Sequence, residues 1–146
     1  MMRSTALFAF LFTLLVGPHI AAGQERPPAL IYKNPQCSCC EGYADYLRQH
    51  GYTVTTKPTH DLSLIRRQLG VPEKFAGCHT TLIGEYVVEG HVPIGAVNKL
   101  LTEQPKIKGI SLPGMPEGSP GMSGTKNGPF EIYEISEGAP KIYATE

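Results

Sequence analysis

The sequence has no surplus of charge of either sign: 13 basic residues stand against 13 acidic ones, for a formal net charge of zero. A broad basic surface for nucleic acid or anionic lipid is excluded on that ground. The acidic residues are scattered along the chain, which argues against an oxygen-lined magnesium or calcium site. There is no Ser-His-Asp set, phosphate-binding loop or catalytic carboxylate pair, and no internal repeat. The apolar run Ala6–Val16 stops at Gly17-Pro18, roughly half the ~20 residues that a membrane span requires. Cysteine is scarce, with four in the chain, and beyond the start the only methionines are Met115 and Met122.

What is present begins with an address. Arg3, the run Ala6–Val16, the break at Gly17-Pro18 and the small residues Ala21, Ala22 and Gly23 before Gln24 follow the pattern of a secretory signal peptide. Residues 1–23 are therefore expected to be removed, taking His19 and Arg3 with them. Residues 24–146 then form one nearly neutral exported domain, with the bacterial periplasm as the expected compartment. Composition agrees, since 41% hydrophobic and 18% charged residues suit an ordinary globular domain.

Three of the four cysteines fall within "YKNPQCSCCEGYADYL": Cys37, Cys39 and Cys40. In an exported protein, two structural disulfides are one possibility. Geometry weakens it, because Cys39 and Cys40 are adjacent and a bridge between neighbours is strained. A Cys37/Cys40 pair would leave Cys39 and Cys78, placing every covalent link on one spot.

"ALIYK" reads as a short strand that "NPQ" turns toward the cysteines. Cys40, Tyr43, Ala44 and Leu47 share one helical face, and that helix should end at Gly51. "YTVTTK" predicts a second strand. Asp61 can cap a second helix with Leu62, Ile65 and Leu69 inside, stopped by Gly70 and Pro72. "TTLI" and "YVVEG" around Gly84-Glu85 predict a hairpin, and a third helix begins at Pro93 with Ile94, Val97 and Leu101 inside. Glu103–Phe130, rich in Gly and Pro, shows no helical or strand period for most of its length. "FEIYEI" and "KIYAT", joined around Gly138, predict a closing hairpin.

The expected fold is α/β, and the order β-α-β-α-β-β-α resembles a thioredoxin or glutaredoxin core. In that superfamily a cis-proline before the hairpin packs against a Cys-x-x-Cys pair. Here Cys37-x-x-Cys40 stands in the pair's place, and "GCHTTLI" puts Cys78 and His79 where the proline would be. The fourth thiol is thus expected to reach the other three.

Thiolate, thioether and imidazole together favour Cu(I) over hard cations. Zinc would accept the cysteines and a histidine but gains little from methionine. Cys37 and Cys39, near a helix N-terminus, are expected to be partly thiolate. Met115 and Met122 sit among Gly and Pro and off any periodic apolar face, so core filling explains them poorly. His91, in "VVEGHVP", lies at the sheet end where the cysteines gather, and His79 adjoins Cys78. His50 and His60 suit capping or solvated roles.

Taken in order, "CSCC", "GCHT", "EGHVP" and "LPGMPEGSPGM" resemble the CopG family of periplasmic copper-resistance proteins, over nearly the whole chain from about Ala29 to Tyr143. The resemblance implies a thioredoxin-like domain holding several copper ions bridged by cysteine sulfur. It implies a role in copper detoxification, with interconversion of Cu(I) and Cu(II) as one route, which would make the protein a copper oxidoreductase. Carried over residue by residue, the metal ligands would be Cys37, Cys39, Cys40 and Cys78, completed by His91, Met115 and Met122, with His79 a further candidate. Expected partners are copper ions and, beyond them, other periplasmic copper-handling proteins or an electron-transfer partner. Two alternatives stand beside this: a thiol-disulfide oxidoreductase with Cys37 as nucleophile and Cys40 as resolving thiol, and a passive copper chaperone.

Overall fold

The computed structural model describes residues 25–146, so the expected signal peptide lies outside the described residues. Along the chain run β1 (Ala29–Lys33), α1 (Ser38–Gln49), β2 (Val54–Pro58), α2 (Leu62–Leu69) and a 3-10 turn (Glu73–Phe75). They are followed by β3 (His79–Ile83), β4 (Tyr86–Gly90), α3 (Ile94–Glu103), β5 (Gly109–Leu112), β6 (Glu131–Glu134) and β7 (Lys141–Thr145). All seven strands form one sheet in the order β2-β1-β3-β4-β5-β6-β7. β1 pairs with β2 and β4 with β5 in parallel, and the remaining neighbours are antiparallel.

Strand alternation explains the layering. Val87 and Val88 are neighbours in β4, yet they enter different cores because successive side chains point to opposite faces. Val88 joins Ile31, Ile83 and Ile110 against Tyr43, Ala44 and Leu47 of α1 and Ala96, Val97 and Leu100 of α3. Val87 joins Val71, Phe75 and Ile135 on the other side, with Leu69 of α2 packed against them. Each fully buried aliphatic side chain contributes about 1.5–3 kcal/mol, and these two layers fix the sheet between helices.

Local chemistry sets the helix ends. The buried face of α1 is Cys40, Tyr43, Ala44 and Leu47, as their spacing predicts. Asp61 caps α2 by accepting from the Leu64 N–H at 2.9 Å, and Gly70 ends it in the left-handed region at φ +63°.

Three expectations need correction. Leu62, Ile65 and Leu69 of α2 are only half-buried, and the buried residue is Arg66, because this helix packs over an ion-pair partner in the sheet. Pro93 caps α3 from outside and does not begin it. The segment Glu103–Phe130 contains β5, a strand buried throughout. With both faces covered, "GISL" shows no alternation to detect. Gly109 is required there, since a Cβ would lie 1.8 Å from the Val87 carbonyl oxygen.

Candidate metal centre

β1 delivers the chain to a turn at Asn34-Pro35, where the Asn34 side chain accepts from the Gln36 N–H at 3.0 Å and the Asn34 carbonyl accepts from the Cys37 N–H at 3.0 Å. Lys33, only 3% exposed, braces this turn. Its Nζ donates to the Asn34 carbonyl at 3.2 Å and pairs with Glu41 Oε1, in the first turn of α1, at 3.0 Å. Cys37 is the N-cap of α1, Cys39 lies in its first turn, and Cys40 is fully buried beneath. Cys78 comes from the residue before β3, and His91 from the residue after β4. Four segments of the chain thus bring their ends to one corner of the sheet.

The four sulfurs meet there. Cys78 Sγ is 3.9 Å from Cys39 Sγ and 3.6 Å from Cys40 Sγ, and Cys37 Sγ is 3.4 Å from Cys39 Sγ. Cys37 and Cys40 are joined as a disulfide, while Cys39 and Cys78 are free. The expected thiolate at Cys37 therefore does not exist in this form, and four thiols become available once two electrons and two protons reduce the bridge. Burial pushes the Cys78 thiol up to about 12, with the nearby Cys39 adding to the effect. Cys78 is thus a neutral thiol near pH 7, and a soft cation binding to it would displace its proton.

Two imidazoles adjoin Cys78. His91 Nε2 lies 2.9 Å from Cys78 Sγ, and its Nδ1 lies 2.7 Å from the Pro120 carbonyl oxygen. His79 Nδ1 lies 3.3 Å from the same sulfur, while its Nε2 is buried without a partner. Burial lowers both histidines, His79 to about 3 with His91 contributing, so both rings are neutral and able to donate a lone pair. The donor atoms form two groups that share Cys78, one of Cys37, Cys39, Cys40 and Cys78 and the other of Cys78, His79 and His91, each within 4.8 Å.

The Gly/Pro segment after β5 folds back over this corner as a strap. Gly121, at φ +81°, rests against α1 so closely that a Cβ on it would lie 2.4 Å from Tyr43 N, and one on Gly42 would lie 2.8 Å from the Gly121 carbonyl oxygen. Ser119 is buried and donates to the Pro116 carbonyl at 2.6 Å. Met122, just past this contact, is half-buried, whereas Met115 is 45% exposed at a bend with φ +47°. His50 sits at the C-cap of α1, with its Nδ1 2.8 Å from the Tyr46 carbonyl, and His60 is exposed. A cleft of about 950 Å³ lined by Arg26, Tyr52, Tyr86, Asn98 and Leu101 lies by the β3–β4 turn, at the far end of the sheet from these donors.

The family described as "Protein of unknown function, DUF411" matches residues 75–122, the span that holds Cys78, both neighbouring histidines and both methionines. No curated protein matches the chain. Two solved structures of "Copper resistance protein copG", Form 2 and Form 1, superpose with TM-scores of 0.76 and 0.75 at 32% identity. Each match covers 84% of this chain and 99% or 98% of the other. The chain belongs to the CopG family of copper-resistance proteins.

Some residues that build this CopG-family corner carry no signal in the sequence. Arg66 and Glu89 form a buried ion pair, Nε to Oε1 at 2.8 Å, with Glu89 fully buried. Arg66 looks like an exposed helix charge and Glu89 like an outward residue of a hairpin strand. Only the packing of α2 across the sheet brings them together. Lys33 is similar, a strand-terminal lysine whose burial depends on α1 returning over it.

Proposed function

We propose that this CopG-family protein serves copper resistance by holding several Cu(I) ions in the pocket formed by Cys37, Cys39, Cys40, Cys78 and His91, with the sulfurs bridging the ions. The observation that carries this is the approach of Cys78 Sγ to within 3.9 Å of Cys39 Sγ and 3.6 Å of Cys40 Sγ, across 38 or more residues of chain. Four thiolates in so small a space need more than one cation to balance them, and soft donors select Cu(I). His79, Met115 and Met122 complete the candidate ligand set. Their support is uneven: His79 faces Cys78, Met122 lies on the strap beside the site, and Met115 is exposed.

In this proposal the domain is thioredoxin-like, which is supported by the parallel β1-α1-β2 unit, the antiparallel β3-β4 pair and the Cys37-x-x-Cys40 pair at the head of α1. Residues 1–23 direct export to the periplasm, and Cu(I)/Cu(II) interconversion with an electron-transfer partner is part of the same reading. Among the described residues no helix is long and apolar enough to cross a membrane.

Anaerobic titration of the reduced protein with Cu(I), followed by metal analysis, tests the proposal. Uptake of more than one equivalent supports it, and zero uptake ends it. Reoxidation of the loaded protein should then produce thiolate-to-copper charge-transfer absorption if the ions cycle.

A second function is favoured by one observation, the Cys37/Cys40 disulfide at a helix start. Thiol-disulfide exchange would use Cys37 as nucleophile and Cys40 as resolving thiol. Metal-free insulin reduction that disappears in Cys37→Ser would support it, and its absence leaves copper binding alone.

A further inference from the structure

Cys78 is the donor that the two groups share, yet the strand ladder does not hold it. β3 begins at His79, one residue later. The residue before, Gly77, sends both of its main-chain groups to side chains. Its N–H donates to Glu89 Oε1 at 3.0 Å, and its carbonyl accepts from Arg66 Nη2. The same Glu89 Oε1 accepts from Arg66 Nε at 2.8 Å, which closes a ring of three hydrogen bonds around one residue. Gly77 is also pressed against Gly90, where a Cβ would lie 2.6 Å from the Gly90 Cα. Gly90 immediately precedes His91. The two glycines in contact thus adjoin the residues whose Sγ and Nε2 stand 2.9 Å apart.

Stability alone accounts poorly for this pair. Removing two charges from water offsets most of what their attraction returns, so a buried ion pair is weak evidence for stability. Here Glu89 Oε2 is in addition buried without a partner, a further cost. What the pair achieves that an apolar pair cannot is to grip both polar groups of Gly77. Arginine suits this task because its rigid fork presents one N–H to the carboxylate and another to the carbonyl from two separate nitrogens, where lysine gathers its three donors on one freely rotating nitrogen.

We propose that Arg66 and Glu89 are positioning residues that hold Cys78 against His91 by clamping Gly77. This deepens the copper-site reading and rests on it for why the spacing matters, while the clamp itself can be tested without metal.

In the protein with its Cys37/Cys40 bridge intact, Cys39 and Cys78 are the free thiols. Iodoacetamide alkylation followed by peptide-resolved mass spectrometry reads them separately. Two variants are compared with the parent. Arg66→Met/Glu89→Leu removes the clamp and both charges together, and its melting temperature reports whether the fold is intact. Arg66→Lys keeps a cation for Glu89 but removes the fixed fork that reaches the carboxylate and the Gly77 carbonyl from two nitrogens, so it tests the clamp's geometry should the double variant not fold.

The expected result is Cys78 alkylation at least about tenfold faster in the double variant and about threefold faster in Arg66→Lys, with the Cys39 rate unchanged, because only the segment bearing Cys78 has been freed. Cu(I) affinity should fall at least tenfold in the double variant although the fold melts near the parent temperature. Parent-like Cys78 rates in the folded variants would overturn the proposal, as would a matching acceleration at Cys39. Should the parent bind no Cu(I), the copper reading fails, and the alkylation rates still decide the clamp.

Discussion

Cys78 Sγ and His91 Nε2 face each other at 2.9 Å, and the opposite nitrogen of that ring, Nδ1, is 2.7 Å from the Pro120 carbonyl oxygen. A carbonyl can only accept, so Nδ1 carries the proton and Nε2 presents its lone pair to the sulfur. This is the arrangement in which a histidine is readied as a metal ligand, with its tautomer and orientation set by a second partner. It also ties the strap to the site, because the acceptor belongs to Pro120.

His91→Ala should therefore weaken Cu(I) binding by at least about tenfold. Competition against a chromophoric Cu(I) chelator measures this. His50→Ala, at the far end of α1, should leave the affinity unchanged. Equal affinities for parent and His91→Ala would remove His91 from the ligand set.

Cys78→Ser should lower the Cu(I) stoichiometry of the reduced protein by about half or more, because a hydroxyl is a poor ligand for a soft ion and Cys78 belongs to both donor groups. Metal analysis after gel filtration counts the ions. A stoichiometry equal to the parent's would mean that the trio Cys37, Cys39 and Cys40 binds copper without it.

Burial, with His91 adding to it, holds His79 down at about 3 from an ordinary 6.5. The folded chain thus binds one proton fewer than the unfolded chain across that interval. Stability supplied by the neutral ring is complete above about pH 6.5 and is lost as pH falls toward 3, at about 1.4 kcal/mol per pH unit. Burial lowers His91 as well, so it adds to the loss in the same direction. Urea melts of the metal-free protein between about pH 7 and pH 4 should show the decline, and His79→Phe, which keeps a ring against Tyr43, should flatten it. An unchanged slope in that variant would assign the acid sensitivity elsewhere.

The parts of the fold and the site that were legible in the sequence are those encoded locally. The helical face from Cys40 to Leu47, the cap at Asp61 and the turn at Gly84 each depend on residues a few positions apart. So does the crowding of Cys37, Cys39 and Cys40. The expectation that Cys78 joins them depended on resemblance to a known fold, since nothing near residue 78 announces a partner some 40 residues upstream. β5 was hidden because a strand covered on both faces loses its alternation. Arg66, Glu89 and Lys33 were hidden because a buried charge and an exposed one look alike until the neighbours that cover it are known. The Cys37/Cys40 bridge was one pairing among several, and the spacing of four cysteines does not select among them.

The strap offers a test in which a small backbone change should reach the candidate metal donors. Gly114 and Gly121 both have φ +81°, but a Cβ at Gly114 would meet nothing within 4 Å, whereas one at Gly121 would lie 2.4 Å from Tyr43 N. Alanine at Gly114 thus costs only the backbone strain of a left-handed position, about 1 kcal/mol. At Gly121 the same strain is joined by a collision with α1 that no side-chain rotation can relieve, so the loss should rise to about 2–4 kcal/mol or the strap should lift. Lifting would draw the Pro120 carbonyl away from His91 Nδ1 and free the ring to turn. Gly121→Ala is accordingly expected to lower Cu(I) affinity as well as the urea midpoint, while Gly114→Ala lowers the midpoint slightly and leaves the affinity intact. If both variants bind Cu(I) as the parent does, the Pro120 contact is only a point of packing, and the orientation of His91 must be set within the β4–α3 connection alone.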